Sequence, residues 1–472
     1  MRYDNDNDND NDNNKKKEGA VMAVSKHMDA ACLMILTVFM MTFPVFAHSQ
    51  PLPVNSVSPE SDFYQDLYQD FYQAAATRVI LNGDQAEIRG GGVRLNGNQI
   101  EILQGGAYQI TGDFTDGGIY IRAGKHDKIY ILLDGASIHR ERGAALYIER
   151  AERVICELSG ENFLSCGADF DPDFINARID GAVYSRCDLT LTGAGNLSIA
   201  APYRHGIVCN DHLILSGGKI EINAAGDGIH VHDSARFSDM DLNIQAGDDG
   251  VTVSNEGLGG TLLIKSGAIQ IPSCYEGLEA GQIVISGGEI QIQSRDDGVN
   301  ARGGAPSLIE ITGGDLKIYN PDGEKADGLD SNGDIIIQGG HIFISVNTRS
   351  HALNYGIENG GVCEISGGEI AAFGGSLMAE TFSDSSPQYA IFDLNSDSGR
   401  NNNNGAAVIL MDINREPLLS AWAPYAFEAA ILSVPELELN EKYILSVGGE
   451  EHEIMIQEAS GVYKTPEPVY VK

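Results

Sequence analysis

Tryptophan occurs once in this chain and aromatic residues make up only 7% of it. Bases are scarce: 31 Lys and Arg stand against 67 Asp and Glu, a net charge of −36. That imbalance excludes a nucleic-acid binder, whose surface must neutralise phosphates. It also excludes a protein held to anionic lipid. Cysteine appears seven times without a CxxC pair, which excludes a zinc ribbon or a disulfide-framed miniature fold. The expected role of the cysteines is that of small buried apolar residues, with a Cys156–Cys166 bridge left open. Beyond residue 47 no run is long and apolar enough to span a membrane. No helix-length amphipathic segment separates the apolar stretches, so leucine-rich and βαβ architectures are excluded.

What the chain has is glycine, 56 of 472 residues, about twice the usual share. It opens on DNDNDNDNDNN (4–14), which can build no core. Met22 and Met28 are alternative starts. Lys26, the apolar run from Ala30, Pro44 and the small Ala47 together read as a secretory signal cut after Ala47. Cys32 lies at the start of the apolar run, ahead of the cleavage site, and is no lipoprotein cysteine. Export predicts a secreted, extracellular or cell-surface protein, with no membrane contact after cleavage, and a monomer. The expected domains are a leader and signal (1–47), a linker (48–77), a β-helix (78–404) and a C-terminal β module and tail (405–472), with Trp422 packed inside the last.

Two signatures alternate from about residue 180. One is a Gly-Gly or Gly-Ala turn before alternating strand residues, as in LILSGGKIEINA, IVISGGEIQIQ and IIIQGGHIFIS. The other is an acidic or polar residue, a glycine and an aliphatic, with glycines at 228, 250, 277, 298, 328 and 356. Spacings in the twenties with period-two alternation mark a solenoid. Each period holds two or three short strands, so the fold class is all-β, a parallel β-helix with strands about 4.8 Å apart and aliphatic ladders inside.

Aligning the second signature by its glycine puts Asp227, Asp249, Glu276, Asp297 and Asp327 one residue before it. His230, Thr252, Glu279, Asn300, Asp330 and Glu358 stand two after it, and Asp248 and Asp296 add further acids. Carboxylates stacked on adjacent rungs repel unless a cation lies among them. Calcium takes six to eight oxygens from such groups, so the ladder is read as a calcium site. For any single Asp-Gly, turn chemistry is the competing explanation. His230 and His232, with Asp227, Asp233 and His212, make a weaker transition-metal candidate. Tyr203, Tyr275, Tyr319 and Tyr355 are placed at solvent-facing corners, where flat rings can stack on sugars. Arg204, Arg295, Arg302, Lys325 and Arg349 are the nearest bases and can pair with a uronate carboxylate.

VILNGDQAEIRGGGVRL, GGAYQITGDFTDGGIYI, DGAVYSRCDLTLTGAGNLSI, ADGLDSNGDIIIQGG and AILSVPELELNEKYILSVGG, in that order across residues 78–457, resemble the carbohydrate-binding right-handed β-helix family of secreted, notably clostridial, bacterial proteins. The resemblance implies calcium along the helix and binding of cellulose or acidic pectic polysaccharide without catalysis. Substrate contacts are expected at Tyr275, Arg295, Arg302, Tyr319 and Lys325. The chain departs from the pattern at Glu276, at Tyr355 and at QAGDD (245–249). A polysaccharide lyase on the same frame would need a base, with Arg295 or Lys325 as candidate. Paired carboxylates could also suit a glycoside hydrolase, but adjacent aspartates on a strand face opposite ways. A purely structural surface rod needs no site at all.

Overall fold

Inward positions on three successive strands of each coil are mostly Ile, Leu, Val, Ala or Cys, and each column continues from coil to coil. One runs Ile220, Leu242, Ile269, Ile290, Leu316, Ile342, Ile370 in parallel register. Another runs Leu215, Phe237, Ile264, Ile285, Ile311, Ile337, Ile365. All of these are buried. Stacking like on like satisfies the backbone between coils and buries the aliphatic surface within them, which makes the parallel β-helix the observed fold.

The computed structural model describes residues 76–464, apart from 256–258, 304–306, 322–325, 357–359, 376–388, 394–404 and 457–459. The expected leader and cleavage site and the linker up to residue 75, with Lys325 and Glu358, lie outside the described residues, and the last expected linker residue, Thr77, begins the first strand. A typical coil holds Val299–Ala301, Leu308–Ile311 and Asp315–Asn320. The first strand belongs to a twelve-stranded sheet. The other two form faces joined into one larger sheet by strands long enough to turn a corner, such as Lys128–Arg140 and Asp334–Val346. The Gly-Gly pair makes that turn. Gly288, Gly314 and Gly340 have φ of 98°, 97° and 92°, a region costly for other residues.

The coils are finished differently at their ends. Antiparallel hairpins, Thr77–Gly83 with Gln85–Arg89 and Val93–Asn96 with Gln99–Ile102, start them. At the far end Cys363–Gly374 pairs antiparallel with Ala429–Ser433. A four-stranded antiparallel sheet follows, with its own core around Phe373, Phe392, Leu410, Phe427 and Leu432. Trp422 is not packed in that core; it is 60% exposed on Pro417–Ala423. Cys156 and Cys166 form no bridge: all six described cysteines are buried thiols outside any disulfide, Cys156 facing Ile131 and Leu191 inside the coil. Burial pushes the Cys156, Cys209 and Cys274 thiols up to about 12, which makes them inert packing residues. Among the described residues no helix is long and apolar enough to cross a membrane.

Candidate functional site

The Asp-Gly corners fold as they do because the coil closes there on its neighbour. A Cβ on Gly277 would lie 2.3 Å from the Gly298 carbonyl oxygen and 2.5 Å from Ile292 Cγ2, so only glycine fits. The same holds at Gly228, Gly250, Gly298 and Gly328. Each glycine N–H donates to the carbonyl of the next ladder residue, from Gly228 to Asp249 and on to Gly298 and Asp327.

The side chains of that ladder reinforce it. Glu276 N–H donates to Asp249 Oδ1 at 3.0 Å, Asp327 N–H to Asp297 Oδ1 at 2.7 Å, and His351 N–H to Asp327 Oδ1 at 2.6 Å. One oxygen of each of these carboxylates is thus tied to the framework. The other turns toward the column two residues past the glycine: Thr252 Oγ1 donates to Asp249 Oδ2 at 3.1 Å and Asn354 Nδ2 to Asp327 Oδ2 at 2.9 Å. Glu276 Oε2 is likewise met by Asn300 Nδ2 at 3.1 Å.

Parallel register sets that second column as His230, Thr252, Glu279, Asn300, Asp330 and Asn354. Three groups of acids converge, each with ligand atoms within 4.8 Å of one another: Asp249–Glu276–Glu279, Asp297–Asp327–Asp330 and Asp227–Asp248–Asp249. Asp227, Glu276, Glu279, Asp297 and Asp327 are buried, although the alternation read them as solvent-facing. Burial, then a hydrogen bond with Glu279 and its charge, push Glu276 up to about 9. Burial and the charges of Asp330, Asp296 and Asp327 outweigh the Asp327 N–H and push Asp297 up to about 8. Asp249 and Asp330 rise to about 6, chiefly through burial. Arg302 is the base beside this set: its Nε stands 2.7 Å from Glu279 Oε2. The pair is close but misaligned, so that oxygen keeps no hydrogen bond. A cavity of about 320 Å³ opens there, lined by Asn255, Glu279, Arg302 and Asn332.

The ladder ends in His230, which the Asp-Gly alignment marks, and His205, which it does not. His205 and His230 flank Asp227, with Nδ1–Oδ2 distances of 3.3 and 2.7 Å. Burial raises Asp227, but these imidazoles more than offset it and hold the carboxyl below its ordinary range. Burial pushes His205 down. His205, Asp227 and His230 converge as a fourth group. His212 instead joins Asp188 and Asp211. At the other end the last rung is read four residues out of register: Ala352, not Gly356, follows Gly328, and Asn354 takes the place expected for Glu358.

The remaining candidates are dispersed. Asp296 lies outside these acid groups and hydrogen-bonds Tyr275, pushing that phenol up to about 12. Arg295 donates to the Gly247 and Cys274 carbonyls and lies over Tyr275, so its guanidinium serves the framework. Tyr275 is exposed, Tyr203 stacks on Phe170, and Tyr355 is buried rather than at a corner. Tyr319 is half-buried against Phe343.

Residues 96–376 match the model of a family described as carbohydrate-binding domain-containing proteins. A protein of that description from Acetivibrio thermocellus is 34% identical over 124 residues, 25% of this chain and 43% of that protein. The chain thus matches less than half the length of that relative. A solved structure described as the polysaccharide lyase-like protein from C. thermocellum, gadolinium derivative, aligns with 22% identity and a TM-score of 0.45, over 63% of this chain and 100% of that one.

Proposed function

The chain belongs to the carbohydrate-binding domain family, and we propose that it is a secreted, calcium-dependent, non-catalytic binder of acidic plant cell-wall polysaccharide. The observation that carries the metal is the buried ladder: carboxylates pushed up to about 8 and 9, with Arg302 the base beside them. The donor set fits a hard divalent cation, being carboxylate and amide oxygens with one buried oxygen, Glu279 Oε2, left without a hydrogen bond. Asp249, Glu276, Glu279 and Asn300 would hold one ion, and Asp297, Asp327 and Asp330 another. Calcium there would supply the positive charge that a polyuronate needs on so acidic a surface. Arg302, beside Glu279 and 57% exposed, would pair with a sugar carboxylate at the rim. Arg295, committed to two backbone carbonyls, gives no support to a lyase base. The signal-like amino terminus supports action outside the cell.

The test is retention of the full chain on polygalacturonate in calcium and in chelator, with the ultraviolet absorbance of unsaturated uronides followed on the same sample. Calcium-dependent retention without rising absorbance is the expected result. A rising absorbance makes the protein a lyase, and no retention in calcium removes the acidic-glycan reading.

A further inference from the structure

The two faces of the larger sheet carry polar side chains outward through most of their length. From residue 196 to 293 one face presents Asn, Ser, Lys, Glu, Asp, Gln and Ala, and no aromatic ring. The character changes in the last coils. Lys317 is followed in register by Phe343, and Tyr319 by Ser345 and Phe373. The C-terminal sheet comes over this patch, and the two enclose a groove of about 460 Å³, with Tyr319, Lys317, Phe343 and His341 on one side and Trp422 and Ser420 on the other.

Three features separate this groove from ordinary packing between modules. Trp422, the one tryptophan of the chain, lines it while remaining 60% exposed. Its ring lies close to Gly405, where a Cβ would come within 3.2 Å of the indole, so the absence of a side chain there leaves room for the ring. The rings opposite are anchored from behind: Tyr319 contacts Phe343 with centroids 5.5 Å apart, Phe343 contacts Phe373 at 6.0 Å, and buried Phe373 contacts Phe427 at 4.9 Å. A groove with preset rings on both walls and a few hydroxyl, imidazole and carboxylate groups at its rim has the make-up of a ligand site.

We propose that this groove is a second glycan subsite, which takes a neutral pyranose chain between Trp422 and the Tyr319–Phe343 wall. The axial C–H face of a pyranose stacks on a flat ring, and its equatorial hydroxyls meet polar groups at the edges. The charge argues for a neutral sugar. Lys317 is already paired with Asp315, Nζ to Oδ2 at 3.2 Å, and Glu369 adds a second acid to the wall. A uronate carboxylate would meet acids there with no base to spare and no acid cluster for a cation. The groove needs residues 417–424, which lie beyond the matched segment 96–376. The inference rests on the carbohydrate-binding reading but not on calcium.

The single tryptophan makes the test direct. The full chain in chelator is titrated with cellohexaose and with xylohexaose, exciting only the indole, with calorimetry alongside. A saturable change in Trp422 emission is expected. Trp422→Ala and Phe343→Ala should weaken calorimetric binding tenfold or more, and Trp422→Phe should stay within a few-fold of the parent. Trp422→Ala should leave calcium-dependent retention on polygalacturonate unchanged, which also shows that the variant is folded. No emission change with either neutral probe, while polygalacturonate is still retained, overturns the groove and leaves the acidic-glycan reading standing. An emission change that follows protein concentration instead of sugar makes the groove a contact between copies and also overturns it. Loss of both signals removes the acidic-glycan reading together with the groove.

Discussion

Glu101 and Glu279 stand in one column of the twelve-stranded sheet, and both are sealed from water at 1% and 2% exposure. Glu101 is answered by the protein itself: Arg94, Arg122 and Asn96 all donate to it. Burial raises it, but these donors outweigh burial and hold it below its ordinary range. Glu279 is surrounded by Glu276 and Asp249, with Arg302 beside it but out of hydrogen-bond alignment. Between them the column carries Tyr120, Tyr147 and Tyr184, the first two touching Phe174 of the short helix Pro172–Asn176. The fold can therefore finish a buried outward position with its own bases or with rings. At the middle coils the acids outnumber the bases: Arg302 stands by Glu279 in the group Asp249–Glu276–Glu279, and His351 by Asp327 in the group Asp297–Asp327–Asp330. A buried carboxylate without a countercharge is costly, so the middle acids are consistent with a charge supplied from outside.

The comparison can be broken from either side. Replacing Arg94→Ala together with Arg122→Ala strips Glu101 of its charge partners, and should cost about 3–5 kcal/mol in denaturant unfolding. Calcium should not restore it, because a lone carboxylate makes no multidentate site. Asp297→Ala with Asp327→Ala attacks the other end. Saturating calcium, at about a hundredfold over its dissociation constant, should stabilise the parent by about 2.7 kcal/mol for each ion bound. The double variant should lose the share of the ion at Asp297, Asp327 and Asp330 and keep that of the ion at Asp249, Glu276 and Glu279. It should also start less stable, because the Asp327 and His351 N–H groups lose their side-chain acceptors. Equal stability of the double variant and the parent in calcium would remove the metal assignment.

Arg302→Ala sharpens the distinction between holding the ion and holding the glycan. Retention on polygalacturonate should fall about tenfold, the equivalent of about 1.4 kcal/mol. The calcium-induced shift in unfolding should persist. The gentlest effect is the pH dependence. Asp249, Glu276, Asp297 and Asp330 are all raised in the folded state, so the cation-free native protein holds protons that the unfolded chain has released. Their contribution to stability is full below about pH 4 and should fall as pH rises toward 9, by at most about 1.4 kcal/mol per pH unit for each proton. Calcium should flatten that slope. The lowered Asp227 and Glu101 act in the opposite sense, losing stability only as pH falls through their depressed values.

The fold was legible because two periodicities coincided. Alternating aliphatics gave the strands, and Gly-Gly and Asp-Gly gave the corners that permit one coil to close on the next. Register failed where the corner residue changed: His351-Ala352-Leu353-Asn354 takes the place of Asp-Gly-aliphatic-acid, and Gly356, facing Asn332, misled the alignment. The acids were legible as a column but not as a buried one, since burial depends on what the intervening loops lay over it. Pairing across long separations was beyond the pattern altogether. Nothing local marks Arg122 as the partner of Glu101, or joins Trp422 to Phe343.

The central claim is that the middle acids are completed by a divalent cation. It is tested most directly by equilibrium dialysis of the full chain against calcium at pH 7, with proton release followed on binding. Bound calcium well above the buffer level is expected, with protons expelled from the Glu276 and Asp297 groups and less bound calcium in the Asp297→Ala, Asp327→Ala variant. No calcium above the buffer level, or uptake unchanged in that variant, would contradict it.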